Sequence, residues 1–264
     1  MGQVIFCATD YYLKGGYRSY VDFFNMVTWA GYPIIPVSEI DPQSDNVYIF
    51  TPSNGETVNG WPNAKATIIL WQLEWMVTSE HNVPSGVSRV WSSDRWQADM
   101  FNFEYVPMGS DRKLNERWEL ATTEKVFDVS FLSYQTPRRQ TITDRMRDEG
   151  LAIAPTQGLM GGYRSMVLLQ SRCMVHVHQH DDVPGVAPLR WALAAAHHLP
   201  IISEMVKERG IYGYTSMMAA EYKYLHSFTA KMIADPMLLR DYADALHGLL
   251  CDQLTFKKVV QSHV

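Results

Sequence analysis

The stretch Pro188-Leu-Arg-Trp-Ala-Leu-Ala-Ala-Ala-His-His-Leu-Pro-Ile-Ile-Ser-Glu204 constrains the fold of this chain more than any other. It reads as an Arg-led, Ala-rich helix, a short break, and a buried strand that ends in Glu204. A helix feeding a short apolar strand is part of a crossover unit, and such units build parallel sheets. The same stretch carries a chemical expectation. A guanidinium in the first turn of a helix, with a carboxylate one strand further on, suits a nucleotide diphosphate. The helix N-terminus and Arg190 would hold phosphate oxygens, and Glu204 would pair with ribose hydroxyls.

The rest of the chain repeats this alternation. Apolar segments at Val4–Thr9, Ile34–Val37, Asn46–Phe50, Ala66–Leu70, Arg89–Ser92 and Tyr105–Val106 read as strands bounded by Pro, Gly and Asn. A helix is expected from about Arg18 to Ala30, ended by Gly31. The polar run Asp111–Thr123 reads as a linker. After it come strands at Phe127–Leu132, Met174–His178 and Pro200–Ser203, and helices at Arg138–Glu149, Gly161–Gln170, Leu189–His197, Ser216–Ile233 and Pro236–Leu250. The expected architecture is α/β: two Rossmann-like parallel-sheet halves with a cleft between them. Residues 1–122 would form an acceptor-side domain, and residues 123–264 a nucleotide-sugar-binding domain with terminal helices.

A chain of 264 residues with 47% hydrophobic and 19% charged residues can bury a sizeable core. Its net charge of −5 argues against a surface wholly given to nucleic acid, while leaving room for a local basic groove. No apolar run reaches the length of a bilayer span. Val4–Ala8 is too short for a signal segment, and Phe6 stands where a myristoylation sequence needs Ser or Thr. Cys7, Cys173 and Cys251 are widely spaced and form no CxxC pair, which fits reduced thiols in the cytoplasm.

Several residue groups point to chemistry. In Phe131-Leu-Ser133-Tyr-Gln-Thr-Pro-Arg138-Arg139 a strand runs through a polar turn into a helix opened by two arginines. Cations there oppose the helix dipole, so an anion is the natural occupant; a solvated surface pair is the alternative. Arg190 stands at the carboxyl end of another strand, where open α/β sheets bind ligands. His176-Val-His178-Gln-His180 would place three imidazoles on one strand face, but the run ends a buried strand. His178 or Gln179 bordering a pocket is the preferred reading over zinc. Gly15-Gly16 follows the first strand and suits a phosphate-cradling turn, without matching a dinucleotide or Walker fingerprint.

Glu74 ends the apolar strand Ile68-Ile-Leu-Trp-Gln-Leu-Glu74 and is flanked by Trp71 and Trp75. A carboxylate beside indole rings gains basicity by desolvation, which makes it a candidate base. Asp10, at the end of the first strand, is the rival. Trp71 and Trp75 are candidates to stack an acceptor, against an alternative of plain core packing.

Taken in chain order, Ala66–Glu74, Arg89–Asp94, Tyr105–Asp111, the Arg138-Arg139 turn and Arg190–Glu204 resemble GT-B-fold glycosyltransferases. The pattern is similar to the phage DNA glucosyltransferases that modify hydroxymethylcytosine. The resemblance covers most of the chain and is diffuse. It implies transfer from a UDP-sugar to a hydroxyl, with Arg138 or Arg139 and Arg190 on the diphosphate and Glu74 as base. Inversion and a hydroxymethylpyrimidine acceptor in duplex DNA would follow; a protein, glycan or small-molecule acceptor, or a silent nucleotide-sugar-binding module, are alternatives. No tightly bound cofactor is implied, and a divalent Mg or Mn ion is compatible with the pattern without being required. One departure stands out: the helical glutamate that such families place three residues after the arginine is Leu193 here.

Overall fold

The computed structural model describes residues 2–9, 12, 20–52, 58–73, 83–116, 124–133, 135–154, 161–178, 185–206, 210 and 218–264. The chain divides into two compact units, one made of Met1–Met108, Ala187–Leu189 and Phe256–Val264, the other of Gly109–Val186 and Arg190–Thr255.

The first unit is built on six parallel strands: β1 (Val4–Ala8), β2 (Ile34–Pro36), β3 (Val47–Phe50), β4 (Thr67–Gln72), β5 (Arg89–Ser92) and β6 (Glu104–Tyr105). Their order across the sheet is β2-β1-β3-β4-β5-β6, with Phe6 opposite both Ile34 and Ile49, and Trp71 opposite Trp91. A parallel sheet covered on both faces needs nearly continuous apolar strands, and Ile68, Ile69, Leu70 and Trp71 are all buried. One face packs Ile5, Cys7, Tyr48, Phe50, Ile68 and Leu70 together.

Among the described residues three α-helices accompany this sheet: α1 (Val21–Trp29), α2 (Arg95–Phe101), and, at the far end of the sequence, a helix over Phe256–His263. α1 stops at Ala30, and Gly31 then takes a φ of 86°, a left-handed turn that favours glycine. Asp94 caps α2 by accepting from the Gln97 amide at 2.8 Å. Phe256 meets Phe23 edge-on at 5.6 Å and stacks on Trp71 at 5.9 Å with the rings 17° apart. The last helix is therefore part of the first unit's core.

The second unit carries four parallel strands in the order β10-β9-β8-β7: β7 (Phe127–Ser130), β8 (Ser171–His176), β9 (Ile201–Glu204) and β10 (Ala219–Ala220). Its helices are α3 (Lys113–Glu116), α4 (Pro137–Asp148), α5 (Gly161–Leu169), α6 (Pro188–Ala196), α7 (Leu225–Ile233) and α8 (Pro236–His247); the Phe256–His263 helix is α9. α4 begins where its sequence dictates. Thr136 caps it by accepting from the Arg139 amide, and Pro137 fills the first position, where no amide is needed. The core gathers Val129, Phe131, Ile142, Met146, Val175, Ile202 and Leu225.

The expected strands form, with ends shifted by up to three residues, and both sheets are parallel. Three expectations are corrected. Ser216–Ile233 is not one helix: Ala219 and Ala220 pair with Ser203 and Glu204 as β10, a 3-10 turn follows at Tyr222–Tyr224, and only Leu225–Ile233 is α-helical. Pairing with a waiting sheet edge overrides the helical periodicity of that segment. Pro236–Leu250 is α-helical only to His247 and then widens into a π-helical turn over Gly248–Gln253. Within Asp111–Thr123, the described part contains α3 rather than a plain linker. Just ahead of it, Ser110 is buried, its amide donating to the Leu250 carbonyl and its hydroxyl to that of Ala192.

Removal of the Phe256 ring leaves a void between Phe6, Phe23 and Trp71. Phe256→Ala is expected to lower unfolding free energy by about 3–5 kcal/mol. Urea denaturation checks this; a loss under about 1 kcal/mol would mean that α9 adds little to the core.

Candidate functional site

The second sheet directs its carboxyl edge toward the starts of α4 and α6, because in a parallel crossover unit each helix begins just beyond the strand before it. Arg138 and Arg139 lie in the first turn of α4, and Arg190 is the third residue of α6. The three guanidiniums meet three consecutive residues at the end of β8. Arg190 Nη1 lies 2.9 Å from His176 Nδ1, Arg139 Nε donates to the Val177 carbonyl at 3.1 Å, and Arg138 Nη1 donates to the His178 carbonyl at 3.3 Å.

Arg138 is held from further sides. It forms a two-pronged ion pair with Glu204, Nη1 to Oε2 at 2.8 Å and Nη2 to Oε1 at 2.5 Å. Its guanidinium lies over the Tyr222 ring, 3.8 Å from the centroid, while the Tyr222 hydroxyl donates to the Arg138 carbonyl at 2.8 Å. Glu204 Oε2 also accepts from the His178 amide at 3.1 Å. The carboxylate expected on ribose hydroxyls is thus engaged with Arg138 and the β8 terminus.

Arg139 is 4% exposed, and burial, with Arg138 adding to it, lowers its pKa to about 10, still well above neutrality. Burial also sets the state of the imidazoles. His176 is held well below its usual pKa by desolvation first and then by Arg190, His178 and Arg139. His178 falls to about 4, chiefly by burial; Glu204 opposes the shift and the three arginines reinforce it. Both rings are neutral at pH 7, so the 3.8 Å approach of His178 Nδ1 to Glu204 is not an ion pair. Three guanidiniums and the Glu204 carboxylate thus meet at this strand end.

Three polar atoms at this edge are without a hydrogen-bond partner among the described residues: Ser133 Oγ, just past β7, His176 Nε2, at the end of β8, and His178 Nε2, just past it. Buried polar groups are nearly always satisfied, so these atoms are open to a bound water or to a polar ligand. Two helix N-termini and three guanidiniums at one strand edge are the chemistry that receives oxygen-rich anions.

The structure thus brings Ser133, Arg138, Arg139, His178, Arg190 and Glu204 to one strand edge. It places Trp71 elsewhere: this indole is fully buried in the first unit, donates from Nε1 to Ser93 Oγ at 2.8 Å, and packs as a core residue. Asp10, Gly15, Gly16, Glu74 and Trp75 lie outside the described residues; in sequence, Asp10 comes two residues after β1 and Glu74 two after β4. Leu193 is buried, and its carbonyl accepts from His197 Nδ1. Sequence reasoning missed Tyr222 and gave His176 no role beyond a possible ligand set. A Tyr just past a two-residue strand leaves no local signature.

No family model matches the chain. A curated relative, an uncharacterized protein of Acanthamoeba polyphaga mimivirus, is 33% identical over 86 residues, which is 31% of this chain and 9% of that protein. The chain therefore spans only a small part of that relative. Among solved structures it is similar to AviGT4, a glycosyltransferase involved in avilamycin A biosynthesis, with a TM-score of 0.63 at 11% identity over 92% of this chain and 87% of that one. It is also similar to the phage T4 BGT in complex with UDP and Mn2+, with a TM-score of 0.53 at 14% identity over 99% and 98%. An alpha1,3-fucosyltransferase gives 0.55 at 11% identity over 98% and 89%. At these identities the likeness establishes the fold: two parallel-sheet α/β halves of the GT-B glycosyltransferase kind.

Among the described residues no group of three or more His, Cys, Asp or Glu side chains is arranged to hold a metal ion. At the arginine cluster Glu204 is already paired, and the surrounding guanidiniums repel a cation. These residues do not fit a metal site. No described helix is long and apolar enough to cross a membrane.

The buried histidines generate a stability effect. His178 and His197 both fall to about 4 from an ordinary 6.5. Between those values the unfolded chain binds protons that the folded chain refuses. Their contribution is fully present above 6.5 and is lost as pH falls toward 4. Stability should therefore drop across this window, by about 1.4 kcal/mol per pH unit for each such histidine. His178→Asn should flatten the slope by about that amount in urea titrations at pH 7, 6 and 5. Identical slopes for the two proteins would contradict it.

Proposed function

We propose that this chain is a glycosyltransferase that moves a sugar from a UDP-sugar to an acceptor hydroxyl with inversion. The observation that carries the reading is the arrival of Arg138, Arg139 and Arg190 at one strand terminus, in a fold shared with glycosyltransferases. A diphosphate carries the charge that such a cluster lacks, and the positive helix ends add to the attraction.

In the reaction, the Glu74 carboxylate takes the proton of the acceptor hydroxyl, with Asp10 as the rival base. The freed oxygen attacks the anomeric carbon from the face opposite the nucleotide. The bond from that carbon to the β-phosphate oxygen breaks, and its electron pair leaves on UDP. Negative charge grows on the departing diphosphate, so fixed guanidiniums stabilise the transition state more than the ground state. A single displacement of this kind inverts the anomeric centre. Ser133 Oγ and His178 Nε2 supply hydrogen bonds to donor oxygens.

For the acceptor, a hydroxymethylpyrimidine in duplex DNA is the preferred reading, supported by similarity to the T4 DNA-modifying enzyme. It requires the base to leave the stack. The buried free thiols Cys7, Cys173 and Cys251 suit a reducing compartment such as the cytoplasm.

Two variants test the assignment. Arg190→Ala is expected to weaken UDP binding about tenfold or more by calorimetry, as loss of a charge-assisted contact does. Glu74→Gln should lower transfer by about 10²–10⁴-fold while UDP binds as before. Normal turnover by the Gln variant would remove Glu74 as base. A duplex acceptor further demands that affinity for hydroxymethylated DNA fall steeply with salt; a flat response would favour a non-nucleic-acid acceptor.

A further inference from the structure

We propose that His176 is a positioning residue that aims Arg190 at the donor diphosphate, acting through a neutral imidazole nitrogen. This rests on the reading of the arginine cluster as a diphosphate site.

The argument begins with donor and acceptor roles. A guanidinium can only donate hydrogen bonds. The 2.9 Å contact between Arg190 Nη1 and His176 Nδ1 therefore makes Nδ1 the acceptor, which fixes the ring proton on Nε2. A protonated ring would present a hydrogen to the guanidinium and break the contact. His176 is the last residue of β8 and is 3% exposed; burial first, and then Arg190 and Arg139, favour the neutral form this bond requires, outweighing the opposing pull of the Gly185 backbone.

The ring itself is fixed. Trp191 meets it edge-on at 4.9 Å and His178 at 5.4 Å, so the acceptor lone pair has one direction. Arg190 stands in the first turn of α6, with a long side chain that has many rotamers to lose on binding. A preset orientation lowers that cost for the ligand. The contrast with Arg138 is instructive. Glu204 orients Arg138 through an opposite charge, whereas the partner that orients Arg190 here is a neutral imidazole.

UDP titration calorimetry on the full chain tests this with four variants. His176→Leu removes the acceptor and should weaken UDP binding about tenfold. His176→Asn returns an acceptor near the position of Nδ1 and should bind within about threefold of the wild type, while His176→Gln, whose amide reaches the Nε2 position, should resemble the Leu variant. The double variant His176→Leu with Arg190→Ala should bind no worse than Arg190→Ala alone, because the first residue acts only through the second. A purely structural role would give additive losses and no difference between Asn and Gln.

Additive losses, or an unchanged UDP affinity in His176→Leu while Arg190→Ala loses affinity, overturn the inference and leave the diphosphate site standing. If Arg190→Ala binds UDP like the wild type, the site assignment itself falls, and this proposal with it. Should the Leu variant fail to fold, the Asn and Gln pair decides: equal affinities refute the role.

Discussion

Gathering like charges at the end of one buried strand is the constraint around which the second unit is organised. Even about 8 Å apart, two unit charges near a protein surface repel by roughly 2 kcal/mol, and Arg139 is also largely taken out of water. The fold offsets this with oriented acceptors. The carbonyls of Val177 and His178 point along the strand end and take hydrogen bonds from Arg139 and Arg138, and Glu204 at the end of the neighbouring strand supplies the compensating charge. Both acceptor groups exist because parallel strands finish with carbonyls that no further ladder partner uses. A sheet edge that would otherwise need water thus becomes the frame for a cation cluster.

The first unit shows the complementary constraint. Its strands are buried on both faces, so nearly every side chain of β3 and β4 is committed to packing. Chemistry is then confined to the residues just beyond the strand ends. Trp71 illustrates the difference a single register makes. It lies inside β4, stacked on Phe256 and bonded to Ser93, while Glu74 comes just after that strand stops.

Much of this was legible in the sequence where the signal is local. Apolar runs of four to six residues announce buried parallel strands, and two arginines opening a helix just beyond such a run announce an anion; the Thr136 cap and Pro137 that start this helix emerge only in the structure. Partnership over distance could not be read. Glu204 looks the same in sequence whether it binds a ribose or closes on Arg138, a residue 66 positions away. Ala219-Ala220 carries no strand propensity of its own and becomes β10 only because the β9 edge accepts it. The return of α9 to the first unit is equally invisible, since its amphipathic face does not say which sheet it will cover.

The differing partners of Arg138 and Arg190 bear directly on how such a site works. A carboxylate is the stronger anchor, and the Arg138–Glu204 pair ties α4, β8 and β9 together through both oxygens and the His178 amide. If every arginine were anchored this way, the site would be rigid but neutral, with little pull on a departing diphosphate. An imidazole kept neutral by burial gives directional control through an uncharged partner, and the surrounding guanidiniums further disfavour its protonation. The cluster thereby reinforces the neutral state that the Arg190–His176 contact requires, and in the proposed donor role the same guanidiniums would meet the charge growing on a leaving diphosphate.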